Sequence, residues 1–467
     1  MEFIRKLLGA GSLYLVATLA PTLTLLALTP LVTRTLGAAE YGEVAIVITI
    51  YQLGAMLVTF GLPLAVTRHA LLGRGGFGIA NGIILVGSIG AAACGTSLAL
   101  AAPLWGGVTF PAVLPQTLAW GVIAGVGLSI TTLAQSLFRA AEKVKVFVAL
   151  AITASVLPPT LGLALITAGQ SRTAETYTLG LAVGYVAAGL VALVTAMRFR
   201  RPRFSLTETL GAYRIGLPTL PHLVSLPLLI SGALAIVSAS TNTTTAAELQ
   251  IAALVGASVL TMLNALNNAW APMIMKTGTE TRPQVLEHST YVISLVTLVI
   301  ICVYVVLAPF MVQFIGGPVV QSDAPARASL VVALSGIFQV LYLANIHLTF
   351  ITGRTGPLAL TTPLAAVAAL AALQVMTQIS LEPPSLILFA TAWPLFFALQ
   401  AVSSAILARR TPFATARTSS SFVPLASAGF VCLGCAVFAP SFGITIATAS
   451  AALLVSATHC WYRRPRA

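Results

Sequence analysis

Residues able to do polar chemistry are few in this chain, and most of them lie inside long apolar runs. Asn264, Asn267 and Asn268 stand at i, i+3 and i+4 just ahead of Trp270-Ala271-Pro272, so a helix would carry the three amides on one face. Amides turned to hydrocarbon are costly, which sends that face toward other helices, as interhelical ties or as a cavity lining. His222 sits among Pro218, Pro221 and Pro227. Prolines so close together remove backbone donors, and the carbonyls they free are tolerated only against protein or a water-filled cavity. The imidazole between them suits a bond to a sugar or phosphate, a proton transfer near neutral pH, or a bond to a neighbouring carbonyl. Gln52, Gln339, Asn345 and His347 are further polar groups in apolar sequence. Arg34 follows Pro30 by four residues. Its guanidinium could clamp a pyrophosphate, reach outward to head groups, or pair with Glu40 or Glu43. Glu40 and Glu248 could be protonatable coupling groups or polar caps where helices start.

Motifs for bond-making chemistry are absent from the sequence. No G-x-x-x-x-G-K-[ST] run occurs, so nucleotide hydrolysis is not expected. The five histidines are far apart and no His, Cys and carboxylate residues share a metal spacing, so neither metal nor cofactor is expected. Cys432-Leu433-Gly434-Cys435 has a C-x-x-C spacing but no basic neighbours, and reads as small residues buried in the membrane.

The elements that must position these groups follow from composition. Charged residues are 7% of the 467 and hydrophobic residues 58%. The usual charged share is about 25%, and so little polar surface cannot cover a water-soluble chain of this length. Hydrophobic runs fall near 10–33, 44–67, 79–102, 116–137, 147–168, 177–197, 214–239, 248–272, 289–309, 327–350, 359–379, 387–408, 423–440 and 442–460. The expected fold is all-α and membrane-embedded, with about 14 transmembrane helices.

The first two runs form a hairpin whose turn, Thr33 to Glu43, holds Gly37 and Gly42 for a tight reversal at positive φ. The net charge of +13 is spread singly between apolar runs, which suits membrane topology better than nucleic acid. With the N-terminus inside, all basic residues except Arg34, Arg172 and Arg327 fall on the inner side. Both termini are therefore expected in the cytoplasm.

The basic stretch 198–213 parts a six-helix half, 1–197, from a second half, 214–408, with a helix pair at 423–460. Ala38-Ala39-Glu40 and Ala246-Ala247-Glu248 lie 208 residues apart, as do Arg68 and Lys276. Six spans per half makes the repeats parallel, with a site expected between halves.

Several phrases resemble one family. Pro30-Leu31-Val32-Thr33-Arg34-Thr35-Leu36-Gly37, then Ala38-Ala39-Glu40-Tyr41-Gly42-Glu43, then Gly61-Leu62-Pro63 look like the opening hairpin of the oligosaccharide flippases. These belong to the multidrug/oligosaccharidyl-lipid/polysaccharide (MOP) exporter superfamily. Arg139-Ala140-Ala141-Glu142-Lys143-Val144-Lys145 and Asn267-Asn268-Ala269-Trp270-Ala271-Pro272 resemble it further. The resemblance implies a cytoplasmic-membrane flippase that moves polyprenyl-pyrophosphate-linked oligosaccharide by alternating access around a cationic cavity, without catalysing a reaction. Its partners would be that substrate, membrane lipids and glycan polymerase or assembly proteins. Family members commonly carry an Asp-Arg pair midway along the seventh helix. Here that place reads Ile230-Ser231-Gly232-Ala233-Leu234, which implies a less cationic cavity. The alternatives are a cation-coupled drug or metabolite antiporter of the same fold and, from another class, a membrane glycan polymerase or ligase. The antiporter would favour a carboxylate at mid-helix, and the polymerase a long outer loop with a catalytic cluster.

Overall fold

The computed structural model describes residues 20–72, 75–169, 171–351, 356–379, 385–410, 421–439 and 441–462. Their regular structure is all helical, with no strand among the described residues. Among these residues eleven helices are long and apolar enough to cross a membrane, and two shorter apolar ones, Phe422–Phe438 and Phe442–Thr458, follow. With the helix over 20–36 they make about fourteen spans, as the hydrophobic runs predict. By contacts the chain divides into two compact units, Met1–Ala247 and Glu248–Ala467. The halves read from the repeat part at the basic stretch, whereas the units part inside a helix.

In unit 1, α1 covers 20–36 and α2 is Ala38–Val58. The turn between them is tighter than expected. Gly37 alone takes it up, at φ 78°, and Gly42 is already helical. A β-carbon on Gly42 would lie 2.0 Å from the Thr243 carbonyl oxygen, so its smallness serves packing. The second span is also not continuous. α2 stops at Val58 and α3, Leu62–Leu72, starts after Phe60 and Gly61, both at positive φ. Pro63 explains the stop, because its ring would meet the Thr59 carbonyl of an unbroken helix.

α4 (Gly76–Leu100), α5 (Ala102–Thr109), α6 (Pro115–Ala140), α7 (Val144–Ala168) and α8 (Ala174–Phe199) follow. α8 buries Ala188, Ala192 and Ala196, small residues at four-residue spacing that let its neighbours α6 and α7 approach closely. The seventh span is broken as the prolines predict. α9 (Leu206–Gly216) ends in one 3-10 turn, Leu217–Thr219, before α10 (Leu220–Ser240). α3 packs on α9 and α2 on α10, so the two broken spans run together, half against half.

α11, Thr243–Lys276, starts earlier than the repeat suggests, because Asn242 Oδ1 accepts the Thr245 N–H at 2.8 Å. Glu40 therefore lies in the first turn of α2 and Glu248 a turn deeper in α11. The letters that match across 208 residues do not occupy matching helical positions.

Unit 2 contains the rest of α11 with α12 (Arg282–Gly316), α13 (Ala324–Ile351), α14 (Leu358–Ile379), α15 (Leu386–Ala390), α16 (Ala392–Ala408), α17 (Phe422–Phe438) and α18 (Phe442–Tyr462). α13 packs against α12, α16 and α17. α12 exposes Val292, Val296, Val299, Val303, Leu307 and Phe310 at three- and four-residue spacing, a continuous apolar face suited to lipid. The chain is a multi-pass membrane protein. Cys432 Sγ donates to the Leu330 carbonyl at 2.9 Å, and Cys302 Sγ to that of Ala449 at 3.6 Å. Both thiols thus serve helix packing.

Candidate functional site

Unit 1 encloses a cavity of about 350 Å³ reached by α1, α2, α6, α7 and α8. Gln52, the one predicted site residue in its lining, sits there beside Tyr51, Tyr177 and Tyr185. The Tyr51 and Tyr185 rings are 4.9 Å apart and tilted by 45°. Tyr177 and Tyr185 are eight residues apart on α8, two turns along one face. Gln135 and Arg139 of α6 complete the polar side, with the Arg139 guanidinium 5.3 Å from the centre of the Phe147 ring. Arg139 is the only charged residue in the described lining. The cavity thus offers amides, phenols and one cation, and no carboxylate.

The sequence pattern missed the tyrosines and Gln135. The signal was the i, i+8 pair on α8 and the Tyr51-Gln52 doublet. Arg139 was legible as an inner-side charge and as part of the 139–145 phrase, but not as a cavity residue.

The other predicted residues fall elsewhere. Arg34 is exposed on the last turn of α1, away from this cavity, whose α1 lining is Pro21 and Leu25. Glu40 Oε2 accepts the Ala174 N–H at 2.6 Å, so the carboxylate stands at the positive end of α8. His222 is half-buried on the first turn of α10, just past the break. Glu248 is half-buried on α11.

In unit 2 the structure brings four predicted residues together. Gln339 Nε2 of α13 donates to Asn264 Oδ1 of α11 at 2.8 Å. Further along the same pair of helices, His347 Nε2 lies 2.9 Å from Asn267 Oδ1. An amide oxygen only accepts, so the imidazole donates through Nε2. The Trp270 ring meets His347 edge-on at 4.8 Å, and Trp270 Nε1 donates to Ser289 Oγ at 2.9 Å. Gln339 and His347 are 3% and 2% exposed, while Asn264 is exposed and Asn267 half-buried. Two acceptors, Gln339 Oε1 and His347 Nδ1, are buried with no hydrogen-bond partner. Asn345 stays apart, donating to the Leu341 carbonyl of its own helix at 2.8 Å. The Asn268 side chain lies outside what the structure describes. The amide face read from i, i+3, i+4 spacing is thus an α11–α13 polar seam.

Arg327, an exception to the inner-side rule, also finds a structural use. Its Nε and Nη2 donate to the carbonyls of Ala436 and Val437 at 2.7 and 2.9 Å, closing the C-terminal end of α17.

No family model matches the sequence, and no curated protein does. Solved structures do match in fold. The lipid II flippase MurJ, in an inward closed conformation, aligns with a TM-score of 0.64 at 11% identity, over 96% of this chain and 98% of its own. An inward-facing multidrug resistance MATE family transporter of the MOP superfamily aligns at 0.61 and 12% identity, over 85% and 97%. The Vibrio cholerae MATE transporter VcmN, in a mutant form, aligns at 0.59 and 17% identity, over 86% and 96%. What this chain shares with MATE transporters and MurJ is a fold, carried through nearly its whole length.

Proposed function

We propose that this chain moves a lipid-linked oligosaccharide across the cytoplasmic membrane by alternating access, with both termini in the cytoplasm. No bond is made or broken. The observation that carries this reading is the chemistry of the unit 1 cavity. Gln52, Gln135 and the tyrosine hydroxyls suit a ligand rich in hydroxyl groups, and Arg139 suits an anionic one. A cation antiporter would want a carboxylate there, and the described lining has none. The fold likeness supports transport without choosing the substrate. MurJ and the MATE structures share the fold equally as transporters, so the choice between flippase and antiporter rests on the cavity.

The test uses proteoliposomes holding a polyprenyl-pyrophosphate-linked oligosaccharide, with a lectin outside to report exposed glycan. Exposure above protein-free vesicles, cut at least about tenfold by Arg139→Gln with Gln52→Ala, is expected if both residues meet the substrate. Cation or dye efflux from the same vesicles without glycan exposure would replace this reading with the antiporter.

A further inference from the structure

The basic stretch after α8 is docked along unit 1 in a fixed course. The Arg203 N–H donates to the Gly78 carbonyl at 2.8 Å, and the Arg203 carbonyl lies over Gly82, where a β-carbon would approach to 2.1 Å. Asn81 Nδ2 of α4 donates to the carbonyls of Ala196 and Arg200, closing α8. Ser205 then starts α9 by accepting the Glu208 N–H at 3.3 Å. Every backbone tie holds the chain inward.

The basic side chains stay exposed, with the Arg203 stem crossing Gly78 of α4. Arg198, Arg200, Arg201, Arg203 and Arg214 are all exposed. So are Phe204, Leu206, Leu210 and Leu217. The only acid in the stretch, Glu208, faces the other way, its Oε2 3.1 Å from His69 Nε2 of α3. A charged, outward-facing row therefore adjoins an apolar one on the same short segment. That segment leads, after one 3-10 turn, straight into the membrane helix α10.

We propose that residues 198–217 form a seat for anionic phospholipid, with the arginines on head-group phosphates and Phe204, Leu206 and Leu210 in the acyl boundary. Charge and placement both point to lipid. The basic residues here are all arginines, whose forked donors match phosphate oxygens. A water-soluble acidic partner would leave the leucines without a counterpart, whereas a bilayer surface offers phosphate and hydrocarbon side by side. Because the linker backbone is already fixed, little ordering is needed when lipid binds.

The test reconstitutes the full-length protein in phosphatidylcholine vesicles carrying traces of spin-labelled phosphatidylglycerol or spin-labelled phosphatidylcholine. Electron paramagnetic resonance reads the motionally restricted fraction of each. Preference for the anionic label should fall about tenfold in Arg200→Gln/Arg201→Gln. It should fall by less in Arg200→Lys/Arg201→Lys, which keeps the charge but loses the forked donors. A charge-matched control, Arg409→Gln/Arg410→Gln, should leave it nearly unchanged. Equal losses in the two glutamine pairs would mean a diffuse inner-side charge and overturn the proposal, as would no loss in either.

Discussion

Gly61 and Gly216 touch backbone to backbone: a β-carbon on Gly61 would lie 2.2 Å from the Gly216 carbonyl oxygen. Each glycine sits at the break of a membrane span, and the rings of Phe60 and Tyr213 stack edge-on beside them at 5.9 Å. The two breaks have one cause. Pro63 ends a helix and the Pro218-Pro221 pair tightens another into a 3-10 turn, and the two turns lie against each other. Gly61 also stands at φ 69°. Gly61→Ala therefore combines left-handed strain, about 1–3 kcal/mol, with overpacking of a similar size. Gly37→Ala meets open space and incurs only the strain at φ 78°. Thermal unfolding in detergent should show Gly61→Ala clearly below Gly37→Ala. Equal melting temperatures would mean that the breaks do not bear on each other.

α3 and α9, one half of each of the same two spans, are also joined by side chains. His69 Nδ1 lies 2.8 Å from the Ala65 carbonyl and Nε2 3.1 Å from the Glu208 carboxylate, so the pairing is complete only with a proton on each nitrogen. His69 is buried and the Glu208 side chain is 43% exposed, so solvent screens the pair. A double-mutant cycle with His69→Ala and Glu208→Ala should give a coupling of about 0.5–1 kcal/mol by unfolding. A coupling near zero would leave α9 held on α3 by packing alone.

Much of the fold was legible and much of the site was not, for different physical reasons. Span number and the broken seventh helix follow from local sequence: runs of apolar residues and prolines act on their own neighbourhoods. The second break was missed because Pro63 stands at the end of an uncharged run that reads as one helix. The amide face at Asn264 and Asn267 was visible from spacing, but its partners Gln339 and His347 are 75 and 80 residues away. Periodicity reports which face is polar and says nothing about what covers it. Gly42 was misread for the same reason, since Thr243 lies far along the chain. Arg327 looked like a stray charge because the α17 carbonyls it serves are likewise distant.

The α11–α13 seam predicts unequal costs for similar substitutions. Asn267→Ala leaves His347 Nε2 without its acceptor beside an Nδ1 already unpartnered, which should cost about 1–3 kcal/mol. Asn345→Ala removes only a bond to its own helix and should cost under about 1 kcal/mol. Melting temperatures of the two variants in one detergent decide this. If they match, the seam does not hold the helices together.

Glu40 separates a cap from a coupling group. Its carboxylate accepts the Ala174 N–H at the start of α8, where Thr173 Oγ1 also accepts from the Thr176 N–H at 3.3 Å. Acceptors at a helix N-terminus are stabilising, and a negative charge adds to this through the helix dipole. Glu40→Gln keeps an acceptor and should lose only a few tenths of a kcal/mol, whereas Glu40→Ala should lose about 1 kcal/mol. Transport in proteoliposomes gives the second readout. A capping role predicts that Glu40→Gln moves substrate at nearly the wild-type rate, because the amide can still receive the Ala174 N–H. A proton-coupling role needs a group that titrates, and glutamine does not. Loss of transport in Glu40→Gln with an unchanged melting temperature would therefore assign Glu40 to coupling and leave the cap as its secondary use.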